Sequence, residues 1–212
     1  MPHFLLSSVW TERFGEFVTL FLVIDPFSVI PAYIALVQSY KPAMQHKIAL
    51  KSVIVATLVL IFFMFAGGFL LDHMGVPLRA FQIAGGIVLF IVALDMVQGD
   101  SDTQHPKSKD HLSIAIYPLA IPKIAGPGAM LAVILLTDDD RGNVWGQLGT
   151  VGMLMLVMII QLALLYAAAP LFRLLGASVA NVIGRIMGIL LAALAVSLVL
   201  TALAEWLNLP KL

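Results

Sequence analysis

Apolar residues in this chain come in long runs, not in the alternation of a strand or the one-sided stripe of a soluble helix. Six stretches, approximately 14–38, 48–71, 79–98, 113–137, 149–170 and 181–207, are predominantly apolar and bounded by charges or by Gly and Pro clusters. Each reaches the roughly 20 residues that a helix needs to cross the hydrocarbon of a bilayer. Open strands leave backbone groups unbonded in lipid, and the dyad pattern of a barrel is absent, so all six are expected to be helices. The expectation is an all-α polytopic membrane protein with six transmembrane helices.

Composition agrees. Hydrophobic residues make up 61% of the 212 and charged ones 11%, with a mean hydropathy of +1.02, which excludes a sizeable water-soluble domain. Twelve basic and twelve acidic residues cancel, leaving no electrostatic footprint for nucleic acid and no polybasic patch for a membrane surface. With no cysteine, disulfides, thiol catalysis and Cys-based metal sites are ruled out together. His3, His46, His73, His105 and His111 lie in or beside polar segments and far apart in sequence, so neither a metal site nor a cofactor is expected. The first apolar run continues past Asp25-Pro26 without a small-residue cleavage site, so no cleavable signal is expected and the chain reads as mature.

An even number of spans puts both termini on one side. That side holds Arg13, Arg79, Arg141 and Lys211, and the other holds Lys41, Lys47, Lys51, Lys107, Lys109, Arg173 and Arg185. The excess of basic residues marks the inner side, which places both termini outside a cell (inner) membrane. Lys123 belongs to neither count because it falls inside the fourth span.

An internal repeat is more informative. An offset of 101 lays Asp25-Pro26 over Gly126-Pro127 and Ile48 over Gly149, and an offset of 102 lays Gly86-Ile87 and Leu89 over Gly188-Ile189 and Leu191. The predicted organisation is a three-helix repeat over 1–98, a polar connecting loop over 99–112 and a second three-helix repeat over 113–212. With three spans per half, the second half enters from the opposite face, the inverted topology of many secondary transporters.

Proline placement adds to this. The first span carries Pro26 and Pro31, and the fourth carries Pro118, Pro122 and Pro127 flanked by Gly126 and Gly128. An internal proline costs an ordinary helix about 3 kcal/mol, so both helices are expected to be broken at mid-membrane. Two readings are open: kinks satisfied by neighbouring helices and water, or breaks that line a solute pathway. Asp25 and Lys123 sit near the midpoints of these spans, where a lone charge costs at least about 2.5–3.5 kcal/mol. They are candidates for an ion pair or water-bridged pair beside a site, the alternative being that each faces its own polar cavity. Asp25 is also the candidate for ion coupling.

The Gly126-Pro127-Gly128 break would present backbone N–H groups of a half-helix to an anion. A carboxylate at one pole and N–H donors at the other suit a small zwitterionic or anionic solute. Ser28 either adds a hydroxyl ligand or bonds back to its own helix. The candidate solute site is therefore Asp25, Pro26, Ser28, Lys123, Gly126, Pro127 and Gly128, with a proton or sodium ion as possible coupling ions.

The stretch Asp25-Pro26-Phe27-Ser28-Val29-Ile30-Pro31 resembles the Asn/Asp-Pro-x-Gly-x-x-Pro motif of the MarC family, and Pro118-Leu119-Ala120-Ile121-Pro122-Lys123-Ile124-Ala125-Gly126-Pro127 resembles its Pro-Leu-Ala-Ile-Pro-x-x-Ala-Gly-Pro motif. Ile83-Ala84-Gly85-Gly86-Ile87-Val88-Leu89-Phe90 is similar to the family's third-span pattern, so the resemblance covers essentially the whole chain. What the resemblance implies is an integral membrane protein of a family with many members of unknown function and some classed as small neutral amino acid transporters. Glycine and alanine transport driven by an ion gradient follows as its implied function. Ser28 stands where the family has Gly, and Lys123 where it has an apolar residue.

Other polar residues read mainly as structural. Gln161, in mid-span, suits an interhelical hydrogen bond better than a ligand, and Glu16, Asp95 and Glu205 lie near span ends where they reach the interface. Gly184, Gly188 and Ala192 form a small-residue ridge for packing within the fold or between protomers of a homo-oligomer. Asp138 to Asn143 reads as a turn. No Gly-x-Ser-x-Gly, no His-Glu-x-x-His and no second mid-membrane Asp is present, so an enzyme is not expected. A secondary transporter is the leading reading, with a channel or an exporter of another small solute as the alternative and a scaffold behind both.

Overall fold

The computed structural model describes residues 2–98, 115–138 and 144–207. The expected connecting loop 99–112 and residues 139–143 of the expected turn lie outside the described residues. Among the described residues every regular element is a helix: α1 (Pro2–Ile24), α2 (Pro26–Val37), α3 (Pro42–His73), α4 (Leu78–Gln98), α5 (Ala115–Ile124, kinked at extended residues), α6 (Pro127–Asp138), α7 (Val144–Tyr166) and α8 (Ala168–Trp206).

Five helical stretches are long and apolar enough to cross a membrane, counting Thr11–Val37 as one, and six if α5 and α6, which meet at 56°, form one span. Proline sets several starts. Pro26, Pro42 and Pro127 open α2, α3 and α6, in the first turn, where an N–H has no intrahelical partner to lose. α3 thus begins six residues before the expected apolar stretch. The stretch expected to link the last two spans is helical instead. α7 ends at Tyr166, Ala167 makes the turn (φ −84, ψ 1), and α8 starts at once, with Pro170 inside its tolerant first turn.

α4 and α8 pack antiparallel through glycines. A Cβ on Gly86 would lie 2.7 Å from Val199 Cγ2 and 3.1 Å from the Ala195 carbonyl, and one on Gly188 would lie 3.0 Å from the Ala93 carbonyl and from Met96 Cβ. The small-residue ridge is therefore used within the fold at Gly188, while Gly184 has open space around it. At one end of this pair Arg79 Nε lies 3.3 Å from Glu205 Oε2. α3 packs on α5 and α6, α7 packs on α1 and α2, and α3 and α7 meet each other. Phe62, Phe65, Phe69, Ile87, Ile91 and Ile159 point outward, the surface expected of helices whose solvent is lipid.

Candidate functional site

The helical ladder of the first segment stops at Asp25. Its N–H still bonds back to the Phe21 carbonyl at 3.0 Å, but its backbone is left-handed (φ 47, ψ 69), and a new helix starts at Pro26. Asp is one of few non-glycine residues that visit this region, because its short side chain bonds locally. Asp25 Oδ1 accepts the Ser28 N–H at 3.4 Å and caps α2, and the Ser28 hydroxyl donates to the Asp25 carbonyl at 3.2 Å. Of the two roles open to Ser28, the hydroxyl thus takes the local one. Asp25 is 4% exposed, and its Oδ2 has no hydrogen-bond partner among the described residues.

The second break is built differently. Tyr117 (φ −129, ψ 128) and Ile121 (φ −129, ψ 125) are extended, each immediately before a proline, as proline's ring demands of its predecessor. The Ile121–Pro122 peptide is cis. Ala125 N–H bonds the Ala120 carbonyl at 2.8 Å, and after Gly126 the α6 ladder begins with Met130 N–H on the Gly126 carbonyl at 3.0 Å. A Cβ on Gly126 would stand 2.8 Å from the Pro122 carbonyl oxygen, so this close approach requires glycine. Pro127 has no N–H, and the next amides belong to the first helical turn, which has no intrahelical partner for them.

The two breaks come together. A Cβ on Gly128 would touch Leu89 and lie 3.3 Å from Val23 Cγ1, which sets the start of α6 against the end of α1. Asp25 and Pro26 are buried, Ser28 and Gly126 half-buried, and Pro127 exposed. Lys123 stands in crowded surroundings but remains accessible, near enough to Asp25 for their charges to interact. Asp25 Oδ2 is nevertheless unpartnered, so the directly bonded version of the expected pair is not formed in this structure.

Two cavities flank the breaks. The larger, of about 440 Å³, is lined by the end of α2, the start of α3, the end of α7 and the start of α8. Tyr33 donates its hydroxyl to the Gln45 carbonyl at 2.9 Å there, and the His46 and Tyr166 rings lie 4.8 Å apart. The smaller, of about 80 Å³, is lined by the ends of α3 and α6 and the start of α7. Six residues of each lining correspond at one offset of 101, Met64 with Leu165, Phe65 with Tyr166, Gly68 with Ala169, Phe69 with Pro170, Ile134 with Tyr33 and Gln147 with His46, while Thr137 and the other residues of the larger cavity have no counterpart in the opposite lining. The sequence carried this signal in its repeat offset, but nothing in it marked these positions as cavity walls.

Long apolar helices, two of them interrupted around a buried carboxylate, define a polytopic helical membrane protein. The family described as MarC family integral membrane protein matches residues 10–207, and the chain belongs to that family. Among relatives, a UPF0056 membrane protein of Archaeoglobus fulgidus is 39% identical over 197 residues, covering 91% of this chain and 92% of its own. One of Aquifex aeolicus is 34% identical over 213 residues, covering 94% and 98%. The UPF0056 inner membrane protein YhgN of Escherichia coli is 29% identical over 197 residues, covering 93% and 98%. No solved structure matches the chain.

Proposed function

We propose that the protein is a secondary transporter of small zwitterionic solutes, glycine and alanine being the test substrates, built as two inverted three-helix repeats over 1–98 and 113–212 joined by 99–112. The observation that carries the reading is the pair of cavities, six of whose lining residues on each side match at a constant offset of 101. α2 and α6 each lead from a break to one cavity, so a repeat inverted in the membrane opens one cavity toward each face. The α4–α8 crossing supports the same symmetry: Gly86 over Ala195, Leu198 and Val199 has its counterpart, at an offset of 102, in Gly188 over Ala93, Met96 and Val97. Exchanging the halves likewise carries α3 on α5 and α6 into α7 on α1 and α2, and α4 on α6 into α8 on α2.

On this reading the two cavities are the two ends of one pathway, with the breaks between them. With both termini outside an inner membrane, the location named for the E. coli relative, the larger cavity faces the cytoplasm. Asp25 carries the coupling, exchanging a proton or holding sodium or the solute ammonium, while the unbonded amides at the start of α6 meet the carboxylate.

The test is uptake of labelled glycine and alanine into proteoliposomes under imposed proton and sodium gradients, for the wild type and Asp25→Asn. Saturable, gradient-stimulated uptake with counterflow, lost in the variant, is expected. Non-saturable flux without counterflow makes the protein a channel, and no flux with folded protein removes the substrate class. Because the chain has no cysteine, single cysteines at His46 and Gln147 report each cavity separately. Added solute should change their labelling in opposite directions.

A further inference from the structure

Five polar or charged side chains are buried among the described residues: Asp25, Ser52, Thr137, Thr150 and Gln161. The three hydroxyls bond to their own helices, Ser52 to the Ile48 carbonyl at 2.8 Å, Thr137 to that of Val133 at 2.7 Å and Thr150 to that of Gly146 at 3.4 Å. Gln161 does not. It is 0% exposed, and neither its Oε1 nor its Nε2 has a hydrogen-bond partner among the described residues. The interhelical bond expected for it is thus not made. A buried amide with both ends unbonded is costly and calls for a partner.

Its depth indicates which partner. Arg13 Nη1 donates to Thr150 Oγ1 at 3.2 Å, and further along the same two segments Tyr33 and Leu165 line one cavity, so the first segment and α7 run parallel. Asp25 lies twelve residues beyond Arg13, and Gln161 eleven beyond Thr150. At about 1.5 Å per residue they rise about 18 and about 16.5 Å from that contact, and they lie about 12 and about 6 Å short of Tyr33 and Leu165, so the two stand within about 6 Å, roughly one helical turn, of each other along the helices. Besides Glu16 Oε2, whose carboxylate is already paired with Arg13, the unbonded buried polar atoms of these segments are those of Asp25 and Gln161, and they lie within about one turn of each other. The repeat sharpens the point. At an offset of 101, Gln161 corresponds to Leu60, itself fully buried, and Asp25 to Gly126. The polar groups break the symmetry of the two halves, as recognition of a solute with two unlike ends requires.

We propose that Gln161 is a solute ligand, its amide N–H donating to the carboxylate of a small zwitterion whose ammonium bonds Asp25 Oδ2. This rests on the transporter reading above and deepens it by naming a specificity-determining residue on α7. Replacement of Gln161 by leucine removes the amide at nearly constant volume.

The test compares wild type and Gln161→Leu in two measurements, thermal unfolding of purified protein without solute and uptake of labelled glycine and alanine by proteoliposomes. The expected result is an unchanged or higher Tm for the variant together with a KM raised about tenfold or more. A lower Tm without solute makes the amide a structural bond and overturns the proposal, whatever the uptake. An unchanged KM with saturable wild-type uptake overturns the proposal and leaves the transporter reading standing. Absence of uptake by the folded wild type overturns the transporter reading and this proposal with it.

Discussion

Replacing Asp25 separates what its backbone does from what its charge does. The residue holds a left-handed backbone between two helices, and its Oδ1 caps the second one at 3.4 Å. Alanine suffers on both counts, by about 1–2 kcal/mol for the left-handed conformation and by up to about 1 kcal/mol for the lost cap. The long Oδ1 contact puts the cap at the low end, so Asp25→Ala should cost about 2 kcal/mol. For a chain of this length that lowers Tm by about 4–8 °C. Asparagine keeps the left-handed preference and the capping oxygen and loses only the charge, so Asp25→Asn should shift Tm by less than about 2 °C. Glycine should fall between, losing the cap but accepting the backbone. Thermal unfolding in detergent, read beside proteoliposome uptake, measures both roles, and uptake should be lost in all three variants. An alanine variant that melts, like the asparagine one, within about 2 °C of the wild type would refute the backbone argument. An asparagine variant as unstable as the alanine one would show that the charge itself holds the fold.

Gly126→Ala should lower stability by about 1–3 kcal/mol, because its Cβ would meet the Pro122 carbonyl oxygen at 2.8 Å, backbone that cannot swing aside. Gly152→Ala, inside α7 with nothing within 4 Å, should instead raise stability by up to about 1 kcal/mol; thermal melts of the two variants should therefore move in opposite directions. Glu205→Gln removes the 3.3 Å pair with Arg79, whose side chains are about half exposed, and should change the unfolding free energy by less than about 1 kcal/mol.

The helical class was legible because lipid leaves so few options: long apolar runs must be helices. Element ends were less legible. Apolarity marks where a helix meets lipid, not where its hydrogen bonds stop, so α3 runs on through His46 and Lys47 beyond the apolar stretch, and α8 continues through the segment expected as a link. The candidate site was half legible. Asp25 and the Gly126 break could be named from charge and proline placement, and both lie where the segments meet. Gln161 could not be separated from a packing glutamine, because the distinction rests on what its amide lacks in three dimensions. Nor could the direct Asp25–Lys123 bond be excluded, since two midpoints at similar depth say nothing of the direction in which the side chains leave their helices.

The unequal cavities raise the question of what keeps the smaller one small. Bulk does not answer it: Met64, Phe65, Gly68 and Ile134 are similar to or smaller than Leu165, Tyr166, Ala169 and Tyr33, and only Phe69 clearly exceeds its counterpart Pro170. The backbones must instead approach more closely, and Gly67 permits it. A Cβ there would lie 2.5 Å from Ile134 Cγ1 and 2.6 Å from Cδ1, whereas at an offset of 101 the corresponding residue is Ala168, buried opposite the Tyr33 half. Glycine on one side and alanine on the other bias the two ends against each other. Gly67→Ala should therefore push Ile134 and α6 away from α3, at about 1–3 kcal/mol of overpacking, and open the smaller cavity. In a background with a single cysteine at Gln147, maleimide labelling should speed up relative to the glycine parent, and Ile134→Val added to Gly67→Ala should restore both the slow labelling and the Tm. A fall in Tm with labelling unchanged would mean that the contact stabilises the fold without setting the size of the smaller cavity.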